Sequence, residues 1–187
     1  MVEVFDYLLD NVKVIGLSGA AGSGKDYVAK THFIDEYGFR NISLAWHFKI
    51  DCIAKGQADY DEVFNTKPPR VRRLLQILGT EQGRELWGEN VWVNTIFSWM
   101  MLFHKDWGID RFIIPDVRFP NEASRIKSLT CGKLFKIVRE VAEDNEHETE
   151  TSLQDWDDWD YIIENNWPTL EISIEENKKI LKELLEI

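Results

Sequence analysis

The stretch from Val12 to Gly38 constrains the fold more than any other part of the chain. A short β-branched run, Val12-Lys13-Val14-Ile15-Gly16-Leu17, breaks off in a glycine-dense turn. A helical pattern follows from Lys25 to Glu36, with Tyr27, Val28, Ala29, Phe33 and Ile34 as its apolar face and Gly38 as its stop. A buried strand followed at once by a helix must pack that helix back on the strand's own sheet, which begins an α/β layer architecture. The turn itself, Gly19-Ala20-Ala21-Gly22-Ser23-Gly24-Lys25, fits G-x-x-x-x-G-K between a predicted strand and a predicted helix. Its glycines let successive backbone N–H groups curl around phosphate oxygens, the helix N-terminus adds partial positive charge, and Lys25 reaches the β- and γ-phosphates. The ligand implied is a nucleoside triphosphate.

The remaining pattern extends the same layer. A second strand is expected over Phe39 to Leu44, a third at Arg111-Phe112-Ile113-Ile114-Pro115-Asp116, and two more over Lys133 to Arg139 and Asp160 to Glu164. Pro120 sits where a helix can begin, with Glu122 in its first turn, and Ile172 to Ile187 reads as a C-terminal amphipathic helix. Strands alternating with helices predict a parallel sheet of five strands covered on both faces. Residues 45–104 form a mostly helical excursion, broken near Gly56, Pro68-Pro69 and Gly88, and are the natural place for a substrate-specific insert. With 187 residues, 44% of them apolar, and no repeat or low-complexity linker, one domain over residues 1–187 is expected.

Charge narrows the partners. The net charge is -11, yet eleven of the 33 acidic residues lie between Glu140 and Glu164, where no Lys or Arg occurs. The other 22 acids are balanced by 22 bases, so the basic residues elsewhere are free to meet an anion. A nucleic-acid-binding face would need a basic surplus, which is missing. No run approaches the length of a membrane span, and the N-terminus has neither a basic n-region nor a cleavage site. Cys52 and Cys131 lack disulfide or metal spacing. A cytosolic protein is the expectation.

Several positions could meet phosphate or metal. Asp26 follows Lys25 where Ser or Thr usually holds magnesium; its carboxylate could bind the ion, directly or through water, or only complement the helix N-terminus. Tyr27 stands where many nucleotide kinases have Thr near the α-phosphate. Asp116 and Arg118 lie just past a strand's carboxyl end, where open parallel sheets place ligands. Arg118 could clamp a second phosphate and Asp116 hold magnesium or a substrate hydroxyl. Lys67, Arg70, Arg72 and Arg73 form the densest basic cluster, of which a helical period can aim one or two at a ligand. Lys49 and Arg139 fall on loops that can face the phosphates. Trp92 and Trp87 could stack on a base, but a tryptophan at helical spacing in an apolar stretch is more often core, and the core is the expectation for Trp87. His147 has no partner at metal-ligand spacing, so no zinc site is expected there.

Taken together, LSGAAGSGKD, LAWHFK, VRRLLQILGT, VWV with Trp92, PDVRFPNE, HETE and DYIIENN resemble the phage-type deoxynucleoside monophosphate kinases, in the family's order and over most of the chain. PDVRFPNE and RRLLQILGT discriminate best, since the glycine loop alone would admit any nucleotide kinase. The resemblance implies a P-loop NTPase fold of nucleoside-monophosphate-kinase type and transfer of the γ-phosphate of ATP to a deoxynucleoside monophosphate, with Mg2+. It implies a donor site at Gly22, Ser23, Gly24, Lys25 and Asp26, approached by Arg139 from a lid-like loop over residues 141–154, with Asn165 beginning the loop that touches the adenine. It further implies acceptor contacts at Arg73, Gly79, Trp92, Asp116, Arg118 and Glu122, to which the loop position of Lys49 is added. Lys25, Arg118 and Arg139 would carry the catalytic charge, and Asp26 or Asp116 the metal. A phage-encoded member would work in the host cytosol; whether it is a homodimer is open. Tyr27 departs from the family's Gly-Lys-Asp-Thr, and the insert between Ile50 and Arg70 is shorter than is usual. Two other readings compete. One is a P-loop kinase for a small molecule, resembling dephospho-coenzyme A or phosphomevalonate kinases, with Asp116 as base. The other is a nucleotide-dependent switch or DNA-associated ATPase.

Overall fold

The computed structural model describes residues 2–139, 153, 155–166, 178, 182 and 183. The expected lid-like loop (141–154), apart from Leu153, and most of the expected C-terminal helix lie outside the described residues.

Helix α1 (Val2–Asn11) leads into β1 (Lys13–Ser18), the glycine turn, and helix α2 over residues 25–37. Helix α2 is α-helical over Lys25–Val28, π-helical over Ala29–Ile34 and α-helical again over Asp35–Tyr37. It stops at Gly38, whose φ of 70° is the left-handed cap a glycine adopts at little cost. After β2 (Arg40–Asn41) come α3 (Trp46–Ala54) and a π turn (Glu62–Thr66). Helix α4 spans residues 69–87 with a π segment at Ile77–Arg84, and α5 is Val91–Trp107. There follow β3 (Arg111–Ile114), α6 (Pro120–Lys127), β4 (Gly132–Val138) and β5 (Tyr161–Glu164).

All four strand pairings are parallel, in the order β2-β3-β1-β4-β5. The five-stranded parallel sheet of the sequence reading is thus present. Alternation along β1 sends its side chains to two cores. Val14 joins Phe112, Ile114 and Leu134 under α1, α5 and α6, while Ile15 and Leu17 join Ile113, Phe135 and Ile163 under α2 through Val28, Ala29 and Phe33. A third cluster, Cys52, Ala58, Val63, Val71 and Leu78, holds the helical insert together on its own. With β1 central and flanked by β3 and β4, the crevice at the strands' carboxyl ends is where an open parallel sheet places its ligands.

Three features differ from the sequence reading. Helix α1 was not anticipated; it buries Leu8 fully and packs along α5. The second strand, expected to reach Leu44, has only two residues: Ile42 N still donates to Ile113 O (2.9 Å), but the next amides turn aside to Asp116. Trp87, expected in the core, is 75% exposed, because it ends α4 at Gly88 and faces outward.

Candidate active site

The glycine turn is built from its own neighbours. Ser23 N donates to Ala20 O (3.2 Å) and Val28 N to Gly24 O (3.0 Å), so the turn runs straight into α2. Lys25 Nζ donates to Gly19 O (2.5 Å) and Ala20 O (2.8 Å), which keeps its ammonium against the loop backbone. Two remote groups brace the turn: Asn165 Nδ2 donates to Ser23 O (2.7 Å) and Arg139 Nη1 to Gly22 O (3.4 Å). Gly24 has a φ of 85°, and a Cβ there would collide with the Asn165 amide, so both backbone shape and space demand glycine.

Asn165 is buried and its amide is committed to the loop backbone, so it acts as a brace for Ser23. The Ser23 side chain is fully buried as well, and its Oγ has no hydrogen-bond partner. Asp26 and Tyr27 are exposed on the first turn of α2.

Asp116 lies beyond β3 and ties three donors to itself. Its Oδ2 accepts from Ser43 Oγ (2.6 Å) and Ala45 N (3.1 Å), and Oδ1 from Leu44 N (3.0 Å). Those contacts set the start of α3, and α3 carries Lys49, which the sequence reading had expected on a loop. Burial lowers the Lys49 pKa; Asp116 and Asp26 raise it, and Lys67 and Arg118 lower it. Charges from α2, from the turn before α4 and from the loop after β3 therefore converge on one half-buried ammonium, which also lies 5.0 Å from the Phe64 ring centroid. Asp26 on one side and Asp116 and Arg118 on the other thus all act on Lys49.

The loop after β3 is held from below by Glu122, which is buried. Its Oε2 accepts from Arg118 N (2.9 Å) and Phe119 N (3.1 Å), and its Oε1 lies 3.4 Å from Arg84 Nη1. Burial raises its pKa to about 7; the two backbone donors and Arg84 pull it down, and Asp116 adds a small push upward. The Glu122 carboxylate is thus turned into the protein to hold the turn, while the Arg118 side chain is exposed.

Trp92 and Gly79 are a joined pair. Trp92 Nε1 donates to Gly79 O (2.6 Å) and its ring meets Phe48 edge-on at 5.0 Å between centroids. A Cβ on Gly83 would collide with that ring, so the glycine lets α4 and α5 close. Beside Trp92 is a cavity of about 320 Å³ lined by His47, Phe48, Asp51, Gln82, Trp87 and others. Of the basic cluster, Arg70 pairs with Glu62, Arg72 Nε donates to Lys67 O (2.9 Å) and Arg73 lies 3.2 Å from Glu81 on the exposed side of α4. Lys67 is the member whose charge reaches Lys49. Sequence reasoning passed over Ser43, Arg84 and Asn121. Ser43 had no signal, whereas Asn121 stood inside PDVRFPNE and Arg84 was a lone cation in GTEQGRELW.

A parallel sheet in this order, with a lysine-bearing glycine turn after the central strand and a second cationic loop beside it, defines a P-loop phosphotransferase. The family model of the deoxynucleotide monophosphate kinases matches residues 48–176. A protein of Acanthamoeba polyphaga mimivirus assigned as a deoxynucleotide monophosphate kinase is 30% identical over 173 residues, covering 82% of this chain and 88% of that protein. The chain belongs to the deoxynucleotide monophosphate kinase family. A dephospho-CoA kinase from Campylobacter jejuni is similar at 14% identity and a TM-score of 0.46, covering 92% of this chain and 97% of that one. Among the described residues no helix is long and apolar enough to cross a membrane.

Proposed function

We propose that this kinase transfers the γ-phosphate of ATP to a deoxynucleoside monophosphate, yielding the diphosphate for DNA precursor synthesis in the cytosol, which is the host's if the chain is virus-encoded. The observation that carries the reading is that the Lys25-bearing glycine turn and the Arg118-bearing turn follow the adjacent parallel strands β1 and β3, with the start of α3, and so Lys49, clasped to the second by Asp116. Two polyanions brought nose to nose need such a bridge of cations. Lys25 and Arg139 hold the donor phosphates, Lys49 holds the acceptor's, Arg118 meets the transferring phosphoryl group between them, and alignment supplies most of the rate. The cavity beside Trp92 offers ring faces and polar groups to the acceptor's nucleoside.

A phosphate acceptor is already anionic and needs no base. Asp116 supports that choice over a hydroxyl acceptor, because its carboxylate is engaged by Ser43, Leu44 and Ala45. Magnesium that arrives with a triphosphate asks the protein for only one or two carboxylates, and the exposed Asp26 on the first turn of α2 fits that need, with Asp116 as the other candidate. When bound, the ion neutralises charge on the phosphates.

A coupled assay of ADP release across the four deoxynucleoside and four ribonucleoside monophosphates tests the reading. ADP release that depends on a deoxynucleoside monophosphate is expected. Release indifferent to every monophosphate would sink it and favour an ATPase switch.

A further inference from the structure

Arg84 is largely covered, and the reaction proposed above gives it no role. Its side chain is 11% exposed, its guanidinium stacks 3.7 Å from the centroid of Phe119, Nη2 donates to Asn121 Oδ1 (3.0 Å), and Nη1 lies 3.4 Å from Glu122 Oε1. All three partners belong to one turn, the turn that carries Arg118. Burying an ion pair costs desolvation that its own attraction barely offsets, so such a pair is a weak stabiliser and a strong constraint on geometry. A planar guanidinium that stacks on a ring while donating in its own plane fixes direction as well as distance.

Arg84 also ends the π segment of α4, whose Gly79 carbonyl receives Trp92. On the other side of the turn, Asn121 Nδ2 donates to Glu89 O (2.9 Å) and Asn90 Oδ1 (3.0 Å), at the entry to α5. The insert therefore grips the turn from two places. From Arg84 the contact passes to Glu122, and from the other oxygen of Glu122 to the amides of Arg118 and Phe119.

We propose that Arg84 is a positioning residue that couples the acceptor-side insert to Arg118, holding the 118–119 backbone through Glu122 so that the Arg118 guanidinium is aimed at the transferring phosphate. This rests on the kinase reading above. Arg84 touches neither nucleotide; its loss is felt at Arg118. The effect falls on kcat, because a misaimed charge costs more in the transition state than in the bound ground state.

The test compares Arg84→Gln, Arg118→Lys and the double variant in the ADP assay, with hydrogen exchange at the Arg118 and Phe119 amides followed alongside. Arg84→Gln should lower kcat by about tenfold or more with the acceptor KM within about threefold of wild type. In the Arg118→Lys background the same change should cost less than about twofold, since both act through one guanidinium. The two amides should exchange faster in Arg84→Gln by more than the global loss of stability, read from the most protected core amides, accounts for. Costs that multiply in the double variant, or amides as protected as in wild type, would overturn the proposal. If Arg84→Gln does not fold, Arg84→Lys, which keeps charge but loses the planar contacts, carries the same comparison. Should wild type release no ADP with any monophosphate, the kinase reading fails by itself, and the exchange measurement still decides whether Arg84 holds the turn.

Discussion

The donor loop and the turn that carries Arg118 do similar work with opposite construction. In the donor loop the deciding contacts are local: Lys25 reaches back six residues to Gly19 and five to Ala20. The turn after β3 is assembled from afar, with Ser43 separated from Asp116 by 73 residues, Arg84 from Glu122 by 38 and Asn121 from Glu89 by 32. A local nest can be made by a few glycines and a helix start, whatever the rest of the chain does. A turn stapled by remote side chains exists only once the sheet and the insert are in place, and so it reports on the whole fold. Asn165 and Arg139 are the exceptions on the donor side, braces 142 residues distant from Ser23 and 117 from Gly22.

The sharpest way to break this contrast is Lys25→Ala. It should lower kcat by roughly a hundred- to a thousandfold, the scale of a lost charge stabiliser, while the melting temperature holds. A variant that unfolds would mean the loop is as dependent on remote structure as the turn is.

On the turn, Glu122→Gln should change the pH dependence of stability. The Glu122 pKa is raised from 4.5 to about 7, chiefly by burial, so the native state binds the extra proton between those values. That stability is present below the lower value and is lost as pH rises through the upper one, on the order of 3 kcal/mol in all. Urea unfolding at about pH 5 and about pH 8 should show wild type losing stability that the Gln variant does not lose. Parallel behaviour of the two proteins would remove the buried carboxylate from the account.

Asp116→Asn should cost about 1 to 3 kcal/mol in urea unfolding, because one oxygen must then serve three donors, and activity should fall with it as the start of α3 and Lys49 shift. Unchanged stability would argue that the clasp on Ser43, Leu44 and Ala45 is incidental. The smallest effect is expected of Trp92→Phe, which keeps an aromatic ring but removes the bond to Gly79 and some of the packing against Gly83: about 1 to 2 kcal/mol, read as a lower thermal midpoint. A loss several times larger would show that the indole N–H organises the insert.

Legibility in the sequence followed the same division. The apolar run before Gly19 and the helical pattern after Lys25 placed β1 and α2 correctly, because burial and backbone propensity act on neighbours. Five parallel strands were also legible, since each was a short apolar run between turns. The end of β2 was not, as Asp116 captures the amides that would have extended it. Trp87 and Trp92 look alike in the chain; only packing turns one outward and lets the other donate to Gly79. Glu122 could be named as a site residue, yet its carboxylate faces the turn's backbone, and Arg84 had no motif of its own to mark it.

What the sequence determined by itself was the lysine-bearing glycine turn, the alternation of strands and helices, and the identity of the charged groups that could serve a phosphate site. Each of these rests on interactions within a turn or two of chain, where residue type and spacing carry the physics. What only the tertiary structure decided was which of those charges are spent on each other. Arg73 pairs with Glu81, Asp116 clasps the start of α3, and Glu122 with Arg84 is buried beneath Arg118. The cost of burying a charge and the partner that offsets it depend on neighbours brought from dozens of residues away, and spacing along a chain does not contain that distance.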